Sequence, residues 1–172
     1  MMIDRVKKIL NAMCDLLDRR LGPVGFVRRG LRLWQRTTQG MTTLVGLEKS
    51  RWGHQYQLEI GFLLHDLPSL VGERFAANPK LHHSHVRVFG ATLLPGWREV
   101  SANQLPLTRW LDAESELDQT ERMENIERFV NDRLLPLLSE CTAVRELARL
   151  HQTGSLAAAI MFQGAGEYLA SR

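Results

Sequence analysis

The closest-set group of metal-ligating side chains in the sequence is HHSH, which holds His82, His83 and His85. On an extended segment His83 and His85 project to the same side, and two imidazoles so spaced can hold zinc or nickel. A third ligand would have to come from His65-Asp66, Glu73 or His54; nothing in the spacing requires it, and a packed or solvated histidine cluster satisfies the same pattern. A second constellation is Glu48 with Glu59, on adjacent expected strands. Paired carboxylates do proton chemistry when burial separates their pKa values, but cations near each in sequence offer simple ion pairs instead. A third is the stripe Arg32, Trp34, Arg36, backed by Arg28, Arg29, Lys49 and Arg51. Cations for phosphates and an aromatic ring for a base would suit single-stranded nucleic acid; a packed tryptophan with cation–π neighbours fits equally. The sequence contains no GxSxG elbow, Gly-rich phosphate loop, HExxH helix or CxxC pair.

Charge is distributed unevenly along the chain. From Arg19 to Arg51 eight cations face one acid, Glu48, whereas from Asp112 to Glu127 seven acids face one cation, Arg122. A basic front half suits nucleic acid or an acidic partner, and solvated faces that compensate one another within the fold are the plainer reading. The net charge of +3 and the acidic later segment weigh against nucleic acid. No apolar run approaches the roughly 18–20 residues a membrane helix needs. The first twenty residues carry charges throughout and no cleavage site, so they do not read as a signal peptide. Cys14 and Cys141 lie far apart and read as buried reduced thiols, placing the protein in the cytoplasm.

The elements that must position these residues read as α+β, in one domain spanning 1–172: a helix over 1–21, a sheet region over 26–94 and a helical region over 112–172. In the first helix Ile3, Val6, Leu10, Met13 and Leu17 recur at threes and fours, widened by Ile9 and Leu16, until Gly22-Pro23 stops it. Alternation then predicts strands near 31–37, 41–49 and 55–64, with a fourth over 85–94 ended by Pro95-Gly96. Leu31 and Leu33 share one face of the first strand; Arg32, Trp34 and Arg36 share the other. Short connections favour an antiparallel meander of about four strands. Asp118 and Glu121 have the spacing of a capping box, which starts a helix that Pro136 kinks or ends. Ala143 to His151 and Leu156 to Gln163 predict two shorter helices.

Between two of these strands lies EKSRWG, Glu48 to Gly53. Ser50 and Gly53 let the chain reverse, Trp52 can fold over the sheet end as a lid, and Lys49 and Arg51 stay at its rim. Tryptophan ringed by arginine is also the composition of a protein-binding centre. The order GFVRRG (Gly25 to Gly30), LWQR (Leu33 to Arg36), EKSRWG, YQLEIGF (Tyr56 to Phe62) and HVRV (His85 to Val88) before Trp97 resembles a bacterial family of uncharacterised domains, the domain of unknown function numbered forty-three-zero-four. The resemblance covers roughly Asp15 to Trp97. Two positions depart from the family pattern: Glu48 stands where glutamine is usual, and the strand reads Glu59-Ile60-Gly61 rather than Asn-Leu-Gly. The resemblance implies no established activity, and the contexts of some members point toward immunity to bacterial toxins. The expectation is therefore a non-catalytic protein-binding module without cofactor or metal. Its candidate patch is Arg32, Trp34, Arg36, Lys49, Arg51 and Trp52, with Glu114, Glu116 and Glu121 as acidic contacts for a basic toxin. An enzyme or metal protein centred on Glu48, Glu59 or the histidines is the alternative, and a nucleic-acid-binding module through the arginine–tryptophan stripe is a second alternative.

Overall fold

Alternating apolar residues along 33–64 become three long strands, which a computed structural model places at the centre of a six-stranded sheet. The structure describes residues 2–51, 53–69, 78–101 and 104–172. The strands are β1 (Val27–Arg28), β2 (Leu33–Thr38), β3 (Met41–Lys49), β4 (Tyr56–Leu64), β5 (Val86–Phe89) and β6 (Ala158–Ile160). They lie side by side in sequence order, each antiparallel to its neighbour. The meander is as expected in sense, but it has six strands, not four. β1 is a two-residue edge. β6 replaces the front of the helix expected over 156–163: Ala157-Ala158-Ala159 favours helix locally, yet Ala158 opposite Val88 and Ile160 opposite Val86 extend the apolar face of the sheet. Tertiary pairing overrides propensity there. The last helix starts later, as α6 (Gln163–Ala170).

One face of the sheet carries the main core. Trp34, Val45, Ile60, Val88 and Ala158 stand opposite one another across five strands, so their side chains share that face. Against it pack Val6, Ile9, Met13, Leu16 and Leu17 of α1 (Met2–Leu21) and the apolar residues of the later helices. Ile3 falls outside the expected stripe and is 76% exposed.

The opposite face is also covered. Residues Met41 to Leu47 are all buried, so β3 lies between two layers. The 3₁₀ turn Leu81–His83 covers it, and sheet glycines admit the turn. A Cβ on Gly46 would collide with the Leu81 side chain, and one on Gly61 with Ser84, standing also 3.3 Å from Leu81 Cδ2. The glycine of the Glu59-Ile60-Gly61 strand is thus a docking notch.

The remaining helices are α2 (Pro106–Trp110), α3 (Gln119–Phe129), α4 (Leu135–Glu140) and α5 (Val144–Gln152). Asp118 caps α3 as its position predicts, its carboxylate accepting from Thr120 N at 2.9 Å and Glu121 N at 3.1 Å. Pro136 does not end the helical path. A π-helical turn, Val130–Leu134, precedes it, and α4 continues with the proline in its first turn, where a missing N–H is tolerated. Among the described residues no helix is long and apolar enough to cross a membrane.

Candidate functional site

Of the histidines, His82 is exposed whereas His83 and His85 are buried. His85 Nδ1 accepts from Leu64 N–H at 2.9 Å and its Nε2–H donates to the Pro68 carbonyl at 2.9 Å, so both ring nitrogens hold backbone. His83 Nδ1 accepts from Lys80 N–H at 3.1 Å. Burial, then the neighbouring His82 and Lys80, hold the His83 pKa below its ordinary value. No group of three or more His, Cys, Asp or Glu side chains converges among the described residues; Glu73, named above as a third ligand, lies outside them. Glu59 is buried on the outer sheet face and ion-paired to Arg87. Glu48 is exposed, and its cross-strand partner is Gln57, which puts it diagonal to Glu59.

The arginine–tryptophan stripe faces inward rather than outward. Trp34 is 1% exposed and its indole N–H donates to Asp18 Oδ1 at 2.6 Å; Arg28 donates to the other oxygen of Asp18 at 2.8 Å and lies over the Trp34 ring. Arg36 stacks on Phe26 and donates to the carbonyls of Val24, Leu138 and Cys141 at 3.2, 2.6 and 3.2 Å. Trp34 and Arg36 are therefore unavailable to a nucleobase or phosphate. The polar look of that face misleads because its partners lie far along the chain. Arg32 is half-buried with its guanidinium over Tyr56, while Lys49 and Arg51 are exposed. Trp52 lies outside the described residues, and with it the lid expected of its ring.

The turn after β3 docks on the acidic loop. Ser50 N–H donates to the Gln55 carbonyl at 2.8 Å, Ala113 N–H to His54 O at 3.1 Å and Tyr56 N–H to Leu111 O at 3.2 Å. His54 Nδ1 meets Glu114 Oε1 at 2.8 Å, and hydrogen bonds from His54 hold the Glu114 carboxyl below its ordinary range. Gly53 has φ 133°, which favours glycine; a Cβ there would stand 2.9 Å from the Glu114 carboxylate, whose flexible side chain can yield. Glu116 and Glu121 are exposed.

β5 leaves the sheet at Phe89, opposite Glu59, and turns into a 3₁₀ segment, Gly90–Leu93. The first residues of β4 thereby lose that neighbour, and a cleft of about 670 Å³ opens between them, the segment after β5 and α2. Tyr56, Leu58, Leu105, Leu107 and Leu111 line it with Phe89, Trp97 and Val100; Gln55, Gln57, Thr92, Thr108 and Arg98 supply polar groups. Phe89 and Val100 are 41% and 43% exposed, so its rim presents apolar surface to solvent. Volume and lining are those of a ligand site. Sequence reading missed the cleft, although Tyr56 and Leu58 belong to the clearest strand.

The family described as Domain of unknown function (DUF4304) matches residues 17–140. The chain belongs to this family. The DUF4304 match extends well past the Asp15–Trp97 stretch that carries the motifs, running from inside α1 to the end of α4 and including every residue that lines the cleft. β6 and the two last helices lie beyond it. Neither the curated proteins nor the solved structures contain a match to the chain.

Proposed function

We propose that this DUF4304 chain is a non-catalytic binding module of the bacterial cytoplasm, and that the cleft beside β4 receives an apolar group of the molecule it binds. The cleft carries this reading. Its walls are apolar rings and aliphatic chains, and its polar groups are amides, hydroxyls and one guanidinium, chemistry that desolvates and orients a ligand. The carboxylate Glu59 and the imidazole His85 are spent on Arg87 and on backbone. Free, buried Cys14 and Cys141 support a reducing compartment. The test is an NMR titration with 1-decanol, a neutral apolar probe. Saturable shifts confined to the cleft-lining residues, lost in Thr108→Trp with the fold retained, are expected. Shifts scattered over the surface, or none, would overturn the reading.

A protein partner of the toxin type is the second reading. What supports it is the acidic segment: Asp112, Glu114, Asp118 and Glu127 are bonded within the fold, which leaves exposed Glu116, Glu121 and Glu124 for a cationic partner. Capture of one stoichiometric protein that is lost in Glu116→Arg plus Glu121→Arg would support it; capture unaffected by the reversal would refute it.

A further inference from the structure

Among the described residues the cleft has one formally charged lining group, Arg98. Its guanidinium lies over the Trp97 ring, 5.0 Å from the centroid. A guanidinium held over a ring still has N–H groups to offer an oxyanion. Three arginines near the sheet are spent internally: Arg28 on Asp18, Arg87 on Glu59, and Arg36 on main-chain carbonyls; Arg32 lies over Tyr56 and does not itself line the cleft. Arg98, by contrast, forms no ion pair among the described residues. Asp112, which follows the lining residue Leu111, is occupied: its two oxygens accept from Gln55 Nε2 at 3.2 Å and from Glu114 N at 2.9 Å. Glu99 follows Arg98 in the chain and does not line the cleft. The mouth is therefore positive and the interior apolar.

We infer that the cleft takes a hydrophobic monoanion, an aliphatic or aromatic acid whose body packs among Leu58, Leu107, Leu111 and Phe89 while its carboxylate meets Arg98. This rests on the cleft being the binding site. A neutral body of the same size gains the apolar burial alone; a cationic head meets like charge. Because Arg98 is exposed, solvent screening limits the gain from its charge to about fivefold in affinity.

The experiment is calorimetric titration with decanoate and with 1-decanol at low salt, using the parent chain, Arg98→Gln and Thr108→Trp. Decanoate is expected to bind about fivefold more tightly than decanol in the parent. In Arg98→Gln the two affinities converge; raising salt in the parent weakens decanoate alone. Equal affinities in the parent, or a preference that survives Arg98→Gln, would overturn the assignment of the anion. If decanol still binds and Thr108→Trp abolishes it, the cleft stands without the anion. If neither probe binds, both readings fall together.

Discussion

Arg122 offers the sharpest test of how the cleft wall is held. It is the one cation of the acidic segment, and it is fully buried, at 0% exposure. Its Nη1 donates to the carbonyls of Trp110 and Asp112, and its Nη2 to those of Ser115 and Leu117 and to the Ser115 hydroxyl. Burial holds its pKa below the usual arginine value, and Asp112 acts in the opposite sense. Arg122→Met removes a donor from four carbonyls; those of Asp112 and Ser115 keep Ser115 and Arg5 as donors, so the loss falls on Trp110 and Leu117. Each buried acceptor left unpaired costs about 1–3 kcal/mol. Loss of the guanidinium's own desolvation, several kcal/mol, offsets part of this, and breaking such networks costs about 3–5 kcal/mol net. A loss of about 3 kcal/mol is expected in urea unfolding. Because Leu111 lines the cleft, decanol affinity should fall in the same variant. Arg122→Lys keeps the charge but gathers its donors on one nitrogen, so it should fall between parent and Arg122→Met. A loss under about 1 kcal/mol for Arg122→Met, or full rescue by lysine, would refute the clamp.

Gly61→Ala should destabilise by about 1–3 kcal/mol, read in the same unfolding assay, because the new methyl meets Ser84 and Leu81 in a closed layer; an unchanged midpoint would show that the turn shifts freely. His83, whose folded pKa is depressed by burial and then by His82 and Lys80, takes up a proton more readily when unfolded. Its contribution is complete above the unfolded value of about 6.5 and is lost as pH falls through the folded one. His83→Asn, which keeps an acceptor for Lys80 N–H, should flatten the acid limb of the stability profile; an unaltered limb would exclude His83 as the source. Burial pushes the Cys141 thiol up to about 12 and the Cys14 thiol in the same direction. Neither should react with a disulfide reagent at neutral pH until the chain is unfolded; rapid labelling of the native protein would contradict their burial.

The parts legible in the sequence are those fixed by near neighbours. The period of two along β2, β3 and β4 needs no distant information, and the Asp118 cap uses a donor two residues on. β6 was hidden because three alanines carry no strand signal and its partners, Val86 and Val88, lie far back along the chain. The inward turn of Trp34 and Arg36 was hidden for the same reason, since Leu138 and Cys141, which accept from Arg36, lie more than a hundred residues away. The cleft had no local signature at all. It exists because β5 stops at Phe89 while β4 extends beyond it, a difference in strand length that alternation does not encode.

That separation has a consequence for DUF4304 itself. Several residues of the motifs by which the chain resembles its family hold the fold: Gly25 carries φ 90° beside Arg36, Arg28 and Trp34 share Asp18, and Gly61 receives the turn at Ser84. None of these lines the cleft, whereas the YQLEIGF strand reaches it through Tyr56, Gln57 and Leu58, as does Trp97 after HVRV; Tyr56 has Arg32 over its ring. If Gly25, Arg28, Trp34, Arg36 and Gly61 are architecture and the cleft is the site, stability and affinity should separate at these positions. Arg36→Met removes donors to three buried or half-buried carbonyls and the contact with Phe26, and should cost about 2–4 kcal/mol. Decanol affinity of the folded fraction should stay unchanged. Arg98→Gln should do the reverse, leaving the unfolding midpoint in place while removing the preference for decanoate. Were Arg36→Met to change the decanoate preference while the chain remained folded, the motifs would belong to the site, and the division between them would be false.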